Sequence, residues 1–174
     1  MTALAALGAF GWHAALGAGY LQSNLAADQP GVALVHDPEL IDAWGIAINP
    51  TGTFWLSARA TDVSTVYSGD VTRTDGTRSP FVKSTLTVTI PGGRPTGQVF
   101  NGSNDFVVTS GTFSAPARFI FASDTGHITG WNAAVPPPVP SRSAHLKATT
   151  PGAVYTGLAI GNNGSGNLLY AADF

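Results

Sequence analysis

After residue 19, short runs of alternating apolar and polar residues are separated by residues that favour turns. Alternation with a period of two is typical of strands that bury one face. The pattern predicts an all-β domain, and no helix is expected after Pro50. The ten predicted strands are 45–48, 54–58, 64–68, 85–90, 97–100, 106–109, 117–123, 127–132, 156–160 and 168–172.

Turn-forming residues lie between these predicted strands. Residues 49–52, 101–104, 124–126 and 162–164 combine Asn or Asp with Gly or Pro. Asn and Gly adopt the positive φ angles that tight hairpin turns require, so we expect hairpins there. The proline-rich segment 133–143 cannot join a central strand because proline lacks an N–H group. It is interpreted as an extended surface connection between structural units.

Three stretches of the chain resemble one another. Each opens with a glycine and alternating apolar residues, turns through Asn and Gly, and returns as an apolar run with an aromatic residue. The stretches cover residues 44–58, 96–110 and 156–174. The opening glycines are Gly45, Gly97 and Gly157, so the spacings are 52 and 60 residues. A four-stranded propeller blade takes about 40–50 residues, which is close to this repeat.

The repeat predicts an incomplete β-propeller in residues 20–174, with about two and a half blades. The inner strands of neighbouring blades crowd around the central channel, and glycine permits close backbone approach there. A β-sandwich with a coincidental repeat is the alternative fold.

Several segments of the chain resemble sequences of an uncharacterised bacterial family of six-bladed propellers. They occur at 20–58 (YLQSN to FWLSA), 95–108 (PTGQVFNGSNDFVV), 117–132 (ARFIFASDTGHITGWN) and 155–174 (YTGLAIGNNGSGNLLYAADF). The resemblance implies an extracytoplasmic protein distantly related to NHL-repeat proteins. Some family members carry PEP-CTERM sorting signals, and no activity of the family is established. Family chains continue beyond the segment that corresponds to LYAADF at residues 169–174. The resemblance therefore implies that this sequence is an N-terminal fragment of such a chain.

The composition excludes several classes of function. Only 10% of the 174 residues are charged, where about 25% is typical. The eight Lys and Arg residues are scattered and the net charge is −2, so nucleic-acid binding is not expected. The chain has no cysteine, which excludes disulfides, thiolate metal sites and a cysteine nucleophile. The abundance of Gly, Ser, Thr and Asn suits a protein outside the cytoplasm.

Residues 1–19 form an apolar segment rich in small residues. Ala15-Leu16-Gly17 fits a signal-peptide cleavage site, but the basic region that precedes such a site is missing. A short helix packed on the domain is the alternative. The segment is too short for a stable transmembrane span, which needs about 20 apolar residues.

Four candidate metal ligands precede the first predicted inner strand. Asp28, His36, Asp37 and Glu39 lie within one short segment, near the face where propellers bind ligands. Carboxylate and imidazole groups that converge there can hold a divalent cation such as calcium. In the alternative interpretation Asp37 begins a turn or a short helix as its N-cap.

Three further residues are candidates for ligand binding. Trp44 and Trp131 flank predicted strands and can stack on sugar-like ligands. Asp173 directly follows the last predicted strand, where its carboxylate can face a channel. The alternatives are packing of the indoles between blades and pairing of the carboxylate across the sheet. No zinc-protease, EF-hand, P-loop or serine-hydrolase motif occurs, and no catalytic residue is assigned.

These observations support three hypotheses about function. The first is a non-enzymatic extracytoplasmic module that binds a protein or a small ligand through its loops. The second is a metal-assisted hydrolase similar to propeller lactonases, with a site that is incomplete in this chain. The third is self-association through open blade edges, because such edges expose unpaired N–H and C=O groups.

Overall fold

A computed structural model describes residues 22–69 and 79–174. All regular elements in these ranges are β-strands, so the predicted all-β class is confirmed. All ten predicted strands overlap observed ones. The described residues contain no helix with the length and apolar character needed to cross a bilayer. The predictions for residues 1–19 lie outside the described residues.

The strands are numbered in chain order. They are β1 (Ala26–Ala27), β2 (Val35–His36), β3 (Ala43–Ile48), β4 (Phe54–Ala58), β5 (Val63–Ser68), β6 (Val82–Thr89), β7 (Pro95–Phe100), β8 (Val107–Ser110), β9 (Phe113–Pro116), β10 (Phe119–Ser123), β11 (His127–Trp131), β12 (His145–Thr149), β13 (Tyr155–Asn162) and β14 (Asn167–Asp173).

The first sheet is antiparallel, with the strand order β3-β4-β5-β6. Its first turn is the predicted one at residues 49–52. The side-chain Oδ1 of Asn49 accepts hydrogen bonds from the N–H groups of Thr51 and Thr53, both at 3.0 Å. Gly52 completes the turn with a φ of 84°. Local side-chain bonding and a positive φ therefore set this hairpin.

The second sheet has the order β7-β10-β11-β12. The predicted hairpin across residues 96–110 is wrong, because β7 pairs with β10 while β8 and β9 form a separate hairpin. The reason is Asn101, which is fully buried. Its Nδ2 donates to the carbonyl oxygens of Ala117 at 2.8 Å and Asp105 at 3.0 Å. These bonds hold the chain in a wide loop.

The remaining connections follow the predictions in part. The predicted hairpins at 124–126 and 162–164 are confirmed, since they join β10 to β11 and β13 to β14. Strands β13 and β14 form the third sheet, and β1 and β2 form a small parallel pair. The proline-rich segment 133–143 was expected between units. Instead it joins β11 to β12 within one sheet, and the Ser141 N–H donates to the Ala133 carbonyl at 2.7 Å.

Apolar side chains fill the space between consecutive sheets. Between the first and second sheets, the Trp55 and Phe119 rings stack with their centroids 4.0 Å apart. A second cluster lies between the second sheet, the β8–β9 hairpin and the third sheet, and Ile120 is at its centre. A third cluster covers the other face of the first sheet, where Leu40 packs against Tyr67. None of the sheets in the described ranges closes on itself.

Strands β3, β7 and β13 are each an edge strand of their sheet. Strand β3 lies close to β7, and β7 lies close to β13. A Cβ atom added to Gly45 would lie 2.2 Å from the Thr96 carbonyl oxygen. A Cβ atom on Gly97 would lie 2.4 Å from the Leu158 nitrogen. The close approach expected at these glycines is therefore confirmed, since no other residue fits there.

Candidate functional site

Four charged residues flank the ends of strands in the first two sheets. Asp42 and Arg94 directly precede β3 and β7, while Arg59 and Asp124 directly follow β4 and β10. In each sheet the first residue of the edge strand pairs with the last residue of its neighbour, so all four positions lie at the same end. We call these four residues and Trp44 the loop edge.

Arg59 lies between two carboxylates of the loop edge. Its Nη1 is 2.8 Å from Asp42 Oδ2, and its Nε donates to Asp124 Oδ2 at 2.6 Å. Arg94 Nη2 reaches the same Asp124 oxygen at 2.7 Å. The hydrogen bonds from Arg59 and Trp44 lower the pKa of Asp42, and those to Asp42 and Asp124 raise the pKa of Arg59. The Asp42–Arg59 pair therefore stabilises the charged form of both side chains.

Trp44 presents an aromatic surface beside these charges. The side chain is 48% exposed, and its indole Nε1–H donates to Asp42 Oδ1 at 3.0 Å. The Arg59 guanidinium carbon lies 5.9 Å from the ring centroid. These contacts fix the orientation of the ring and leave much of it accessible. An ordered, accessible aromatic ring next to charged groups can stack on the apolar face of a polar ligand.

Among the described residues, part of the hydrogen-bonding capacity of the loop edge is unused. Asp124 Oδ1 is buried and has no partner among the described residues, although Oδ2 accepts bonds from both arginines. The Arg94 side chain is 54% exposed, and Nη2 is its only guanidinium nitrogen bonded within the described ranges. The free guanidinium N–H groups can pair with an acidic or hydroxylated ligand.

A second polar network lies under the segment that precedes β3. Asp37 is fully buried and accepts hydrogen bonds from Tyr67 Oη, from Lys83 Nζ at 2.5 Å and from the Glu39 N–H at 3.0 Å. Lys83 Nζ also contacts Glu39 Oε2 at 2.7 Å. The network joins residues 37–39 to β5 and β6.

The pKa directions show what this network can do chemically. Burial raises the pKa of Asp37, but hydrogen bonds from Lys83 and Tyr67 outweigh burial and leave it below its usual value. Burial lowers the pKa of Lys83, but its bonds to Asp37 and Glu39 leave it raised. Burial, followed by the bond to Asp37, raises the pKa of Tyr67. None of these directions moves a group toward neutral pH, so the network is an anchor and is not poised for acid–base catalysis.

The four predicted metal ligands do not converge. His36 Nε2 lies 3.1 Å from the backbone oxygen of Asp28, whereas Asp37 and Glu39 both pair with Lys83. Within residues 22–69 and 79–174, no group of three or more His, Asp or Glu side chains is placed to hold a metal ion. The alternative interpretation, in which Asp37 begins a turn, is confirmed, because Asp37 Oδ1 accepts a hydrogen bond from the Glu39 N–H.

The other two predicted ligand-binding residues have different surroundings. Trp131 is 5% exposed, and its indole N–H donates to the Ser141 carbonyl at 2.9 Å. Its ring packs between the first two sheets, as the packing alternative predicts. Asp173 is exposed at the end of β14 that corresponds to the loop edge, and its Oδ1 accepts the Val154 N–H at 2.7 Å.

The sequence pattern did not indicate five residues of these networks, which are Asp42, Arg59, Lys83, Arg94 and Asp124. A signal was nevertheless present, because Asp42 and Arg94 each stand three residues before an opening glycine. In a chain with 10% charged residues, opposite charges at equivalent repeat positions indicate a charged cluster, and in the structure Arg59 and Asp124 link Asp42 to Arg94.

Comparisons with known proteins identify relatives without an assigned role. No family model matches the chain, and no solved structure matches it. It is similar to "Uncharacterized protein R648" of Acanthamoeba polyphaga mimivirus, with 30% identity over 158 residues that cover 86% of this chain and 35% of that protein. It is also similar to "Uncharacterized protein L690" of the same virus, with 28% identity over 159 residues, 87% of this chain and 38% of that protein. The chain therefore spans little more than a third of the length of these relatives.

Proposed function

We propose that the first, second and third sheets are consecutive blades of a β-propeller with β3, β7 and β13 as inner strands. The strand order supports this proposal, since the first strand of each four-stranded sheet lies at one edge and later strands follow outward. The close approach at Gly45 and Gly97 also supports it, because inner strands of a propeller crowd together. The resemblance to bacterial six-bladed propellers fits the same architecture.

The proposed function is binding of a small polar ligand at the loop edge, in a protein that works outside the cytoplasm. The observation that carries it is the half-exposed Trp44 ring, held by Asp42 and Arg59, in the same ion-pair network as the exposed guanidinium of Arg94. Sugars and sugar acids match this surface, since they offer an apolar ring face to an indole and hydroxyl or carboxylate groups to arginine. The extracytoplasmic location rests on the family resemblance and on the low charge content of 10%.

The metal-assisted hydrolase has no comparable support among the described residues. Such a site needs several oxygen or nitrogen ligands around one ion. Here an ammonium group, Lys83 Nζ, already pairs with both Asp37 and Glu39. We therefore advance the binding role alone.

Two-dimensional NMR of the ¹⁵N-labelled chain tests this function, with glucose and galacturonate as probes. Both sugars should shift the Trp44 indole N–H signal and leave that of buried Trp131 in place. Galacturonate should bind more tightly, because its carboxylate can pair with Arg94. Trp44→Ala should abolish the sugar-induced shifts of the adjacent backbone N–H signals of Ala43 and Gly45, and Trp44→Phe should keep part of the affinity measured from the same signals. Arg94→Ala should remove the preference for galacturonate.

The proposal fails if neither sugar shifts the Trp44 signal at millimolar concentration. It also fails if both sugars bind Trp44→Ala as they bind the unmodified chain. Lys147→Ala is a matched control for Arg94→Ala, because it removes an exposed positive charge from β12 in the outer part of the second sheet.

A further inference from the structure

The tripeptide Asn-Gly-Ser occurs twice in the chain, at residues 101–103 and 163–165. An asparagine that precedes glycine is prone to deamidation, because glycine has no side chain to hinder attack of its nitrogen on the neighbouring side-chain amide. The two copies of the tripeptide share the same local chemistry, so a difference in their reactivity must come from the fold. The structure places them in opposite surroundings.

The first copy is held inside the protein. Asn101 is fully buried, and its Nδ2 donates to the carbonyl oxygens of Ala117 at 2.8 Å and Asp105 at 3.0 Å. Its Oδ1 accepts hydrogen bonds from the N–H and the hydroxyl group of Ser103. In deamidation Nδ2 leaves as ammonia, so both of its hydrogen bonds must first break. Loss of two such bonds slows a reaction by about tenfold or more, which protects this copy.

The second copy lies at the tip of the β13–β14 hairpin. Asn163 and Gly164 are exposed, and a Cβ atom added to Gly164 would meet nothing within 4 Å. The Asn163 side chain is bonded through Oδ1, and its Nδ2 has no hydrogen-bond partner among the described residues. The tip lies beyond Asn162 and Asn167, the last paired residues of the two strands. Contacts along either strand therefore leave it open to water.

Backbone contacts at this tip also favour the reaction itself. The Asn163 Oδ1 accepts hydrogen bonds from the N–H groups of Ser165 at 3.0 Å and Gly166 at 3.1 Å. These donors stabilise the negative charge that develops on Oδ1 during attack, as in an oxyanion hole. The attacking Gly164 N–H donates to Asn162 Oδ1 at 2.8 Å. Because both residues are exposed, water replaces this bond at little cost.

We propose that Asn163 is a deamidation site and that the fold protects Asn101 from the same reaction. The Gly164 nitrogen attacks Asn163 Cγ, the Cγ–Nδ2 bond breaks, and the proton of the Gly164 N–H leaves with Nδ2 as ammonia. Water then opens the succinimide ring at either carbonyl carbon, which gives aspartate or isoaspartate. One water is consumed and one ammonia is released, and no group is oxidised or reduced.

Peptide mass spectrometry of the unmodified chain tests the proposal. The folded chain is incubated at mildly alkaline pH and digested, and aspartate and isoaspartate are measured at both positions over time. We expect Asn163 to react at least about tenfold faster than Asn101, because Asn101 alone must lose two hydrogen bonds from Nδ2. In urea, where the fold is lost, both positions should react at similar rates, since their tripeptides are identical.

Isoelectric focusing gives a second measurement, because deamidation adds a negative charge. Asn163→Gln should remove the acidic species that forms from the folded chain, since glutamine would have to close a larger and less favourable ring. Asn24→Gln is the matched control. Asn24 is also exposed but precedes leucine, so this change should leave the acidic species as it is.

Equal rates at Asn101 and Asn163 in the folded chain would overturn the proposal. A chain in which Asn163 reacts only after urea is added would overturn it as well, because the hairpin tip would then protect the side chain. The tip lies at the end of β13 opposite the one that corresponds to the loop edge. These outcomes therefore leave the sugar titration untouched, and the two proposals fail separately.

Discussion

The three opening glycines allow one substitution to be compared at three equivalent places. In Gly45→Ala the new Cβ would lie 2.2 Å from a backbone oxygen of the neighbouring strand β7, and in Gly97→Ala 2.4 Å from a backbone nitrogen of β13. In Gly157→Ala the nearest atom is 3.7 Å away. Because backbone atoms cannot rotate aside, the first two changes must push whole strands apart. The third needs no movement.

The expected magnitudes follow from these distances. Ordinary Cβ contacts begin at 3.4 Å, so the neighbours of Gly45 and Gly97 must retreat by about 1 Å. Overpacking of this kind lowers the free energy of unfolding by about 1–3 kcal/mol. Alanine also restricts the unfolded chain, which raises the free energy of unfolding by about 0.5–1 kcal/mol. Gly97→Ala should therefore lower the free energy of unfolding by about 1 kcal/mol and the Tm by about 2–4 °C. Gly157→Ala should raise the free energy of unfolding by about 0.5 kcal/mol.

Urea unfolding followed by circular dichroism measures both changes. It is done at protein concentrations where the midpoint no longer depends on concentration, so that association of copies does not contribute. The reasoning is refuted if Gly97→Ala is as stable as the unmodified chain. It is equally refuted if Gly157→Ala destabilises as much as Gly97→Ala, because the two positions then have the same surroundings.

Three further predictions concern buried polar groups. Asp37→Asn removes the charge that pairs with Lys83, so urea unfolding should show a loss of about 3 kcal/mol in the free energy of unfolding. Half-buried Asp28 makes no ion pair among the described residues, so Asp28→Asn should lose much less. Because the pKa of Asp37 is depressed in the folded chain, its contribution is present above the ordinary value of 3.8 and is lost as pH falls through the folded value. Tm measured from pH 7 downward should therefore show a shallower acid loss in Asp37→Asn, and parallel curves would contradict this. Asn101→Ala leaves the Ala117 and Asp105 carbonyls without their donor, so the Tm should fall by an amount that corresponds to about 1–3 kcal/mol; an unchanged Tm would contradict the role given to this side chain.

Local signals explain which parts of the fold could be predicted from the sequence. The strand at residues 54–58 and the turn at 49–52 depend on neighbouring residues alone, through alternation and through the Asn49 side chain. The close approach at Gly45 and Gly97 was predictable from the repeat, since glycine opens equivalent strands. These features need no knowledge of distant contacts.

The features that were missed depend on tertiary structure. Residues 101–104 have the composition of a tight turn, and only the burial of Asn101 against Ala117 makes them a wide loop. Strand β12 is mostly exposed and shows no clear alternation, so the pattern did not indicate it. Asp37 and Lys83 are 46 residues apart, and the loop edge joins residues from separate sheets. Stacking of the sheets creates these pairs, and no local pattern specifies it.

The inserted β8–β9 hairpin has a consequence for the order in which the chain folds. Strands β3 and β4 meet across residues 49–53, whereas β7 and β10 must meet across residues 101–118. Closing the longer loop costs about 1 kcal/mol more in chain entropy, and contacts of greater sequence separation form more slowly. The short β8–β9 hairpin can form first, on a timescale of about 1–10 μs, and it then shortens the segment that β7 and β10 must bridge. The first sheet is therefore expected to nucleate folding, with the pairing of β7 and β10 as a late step.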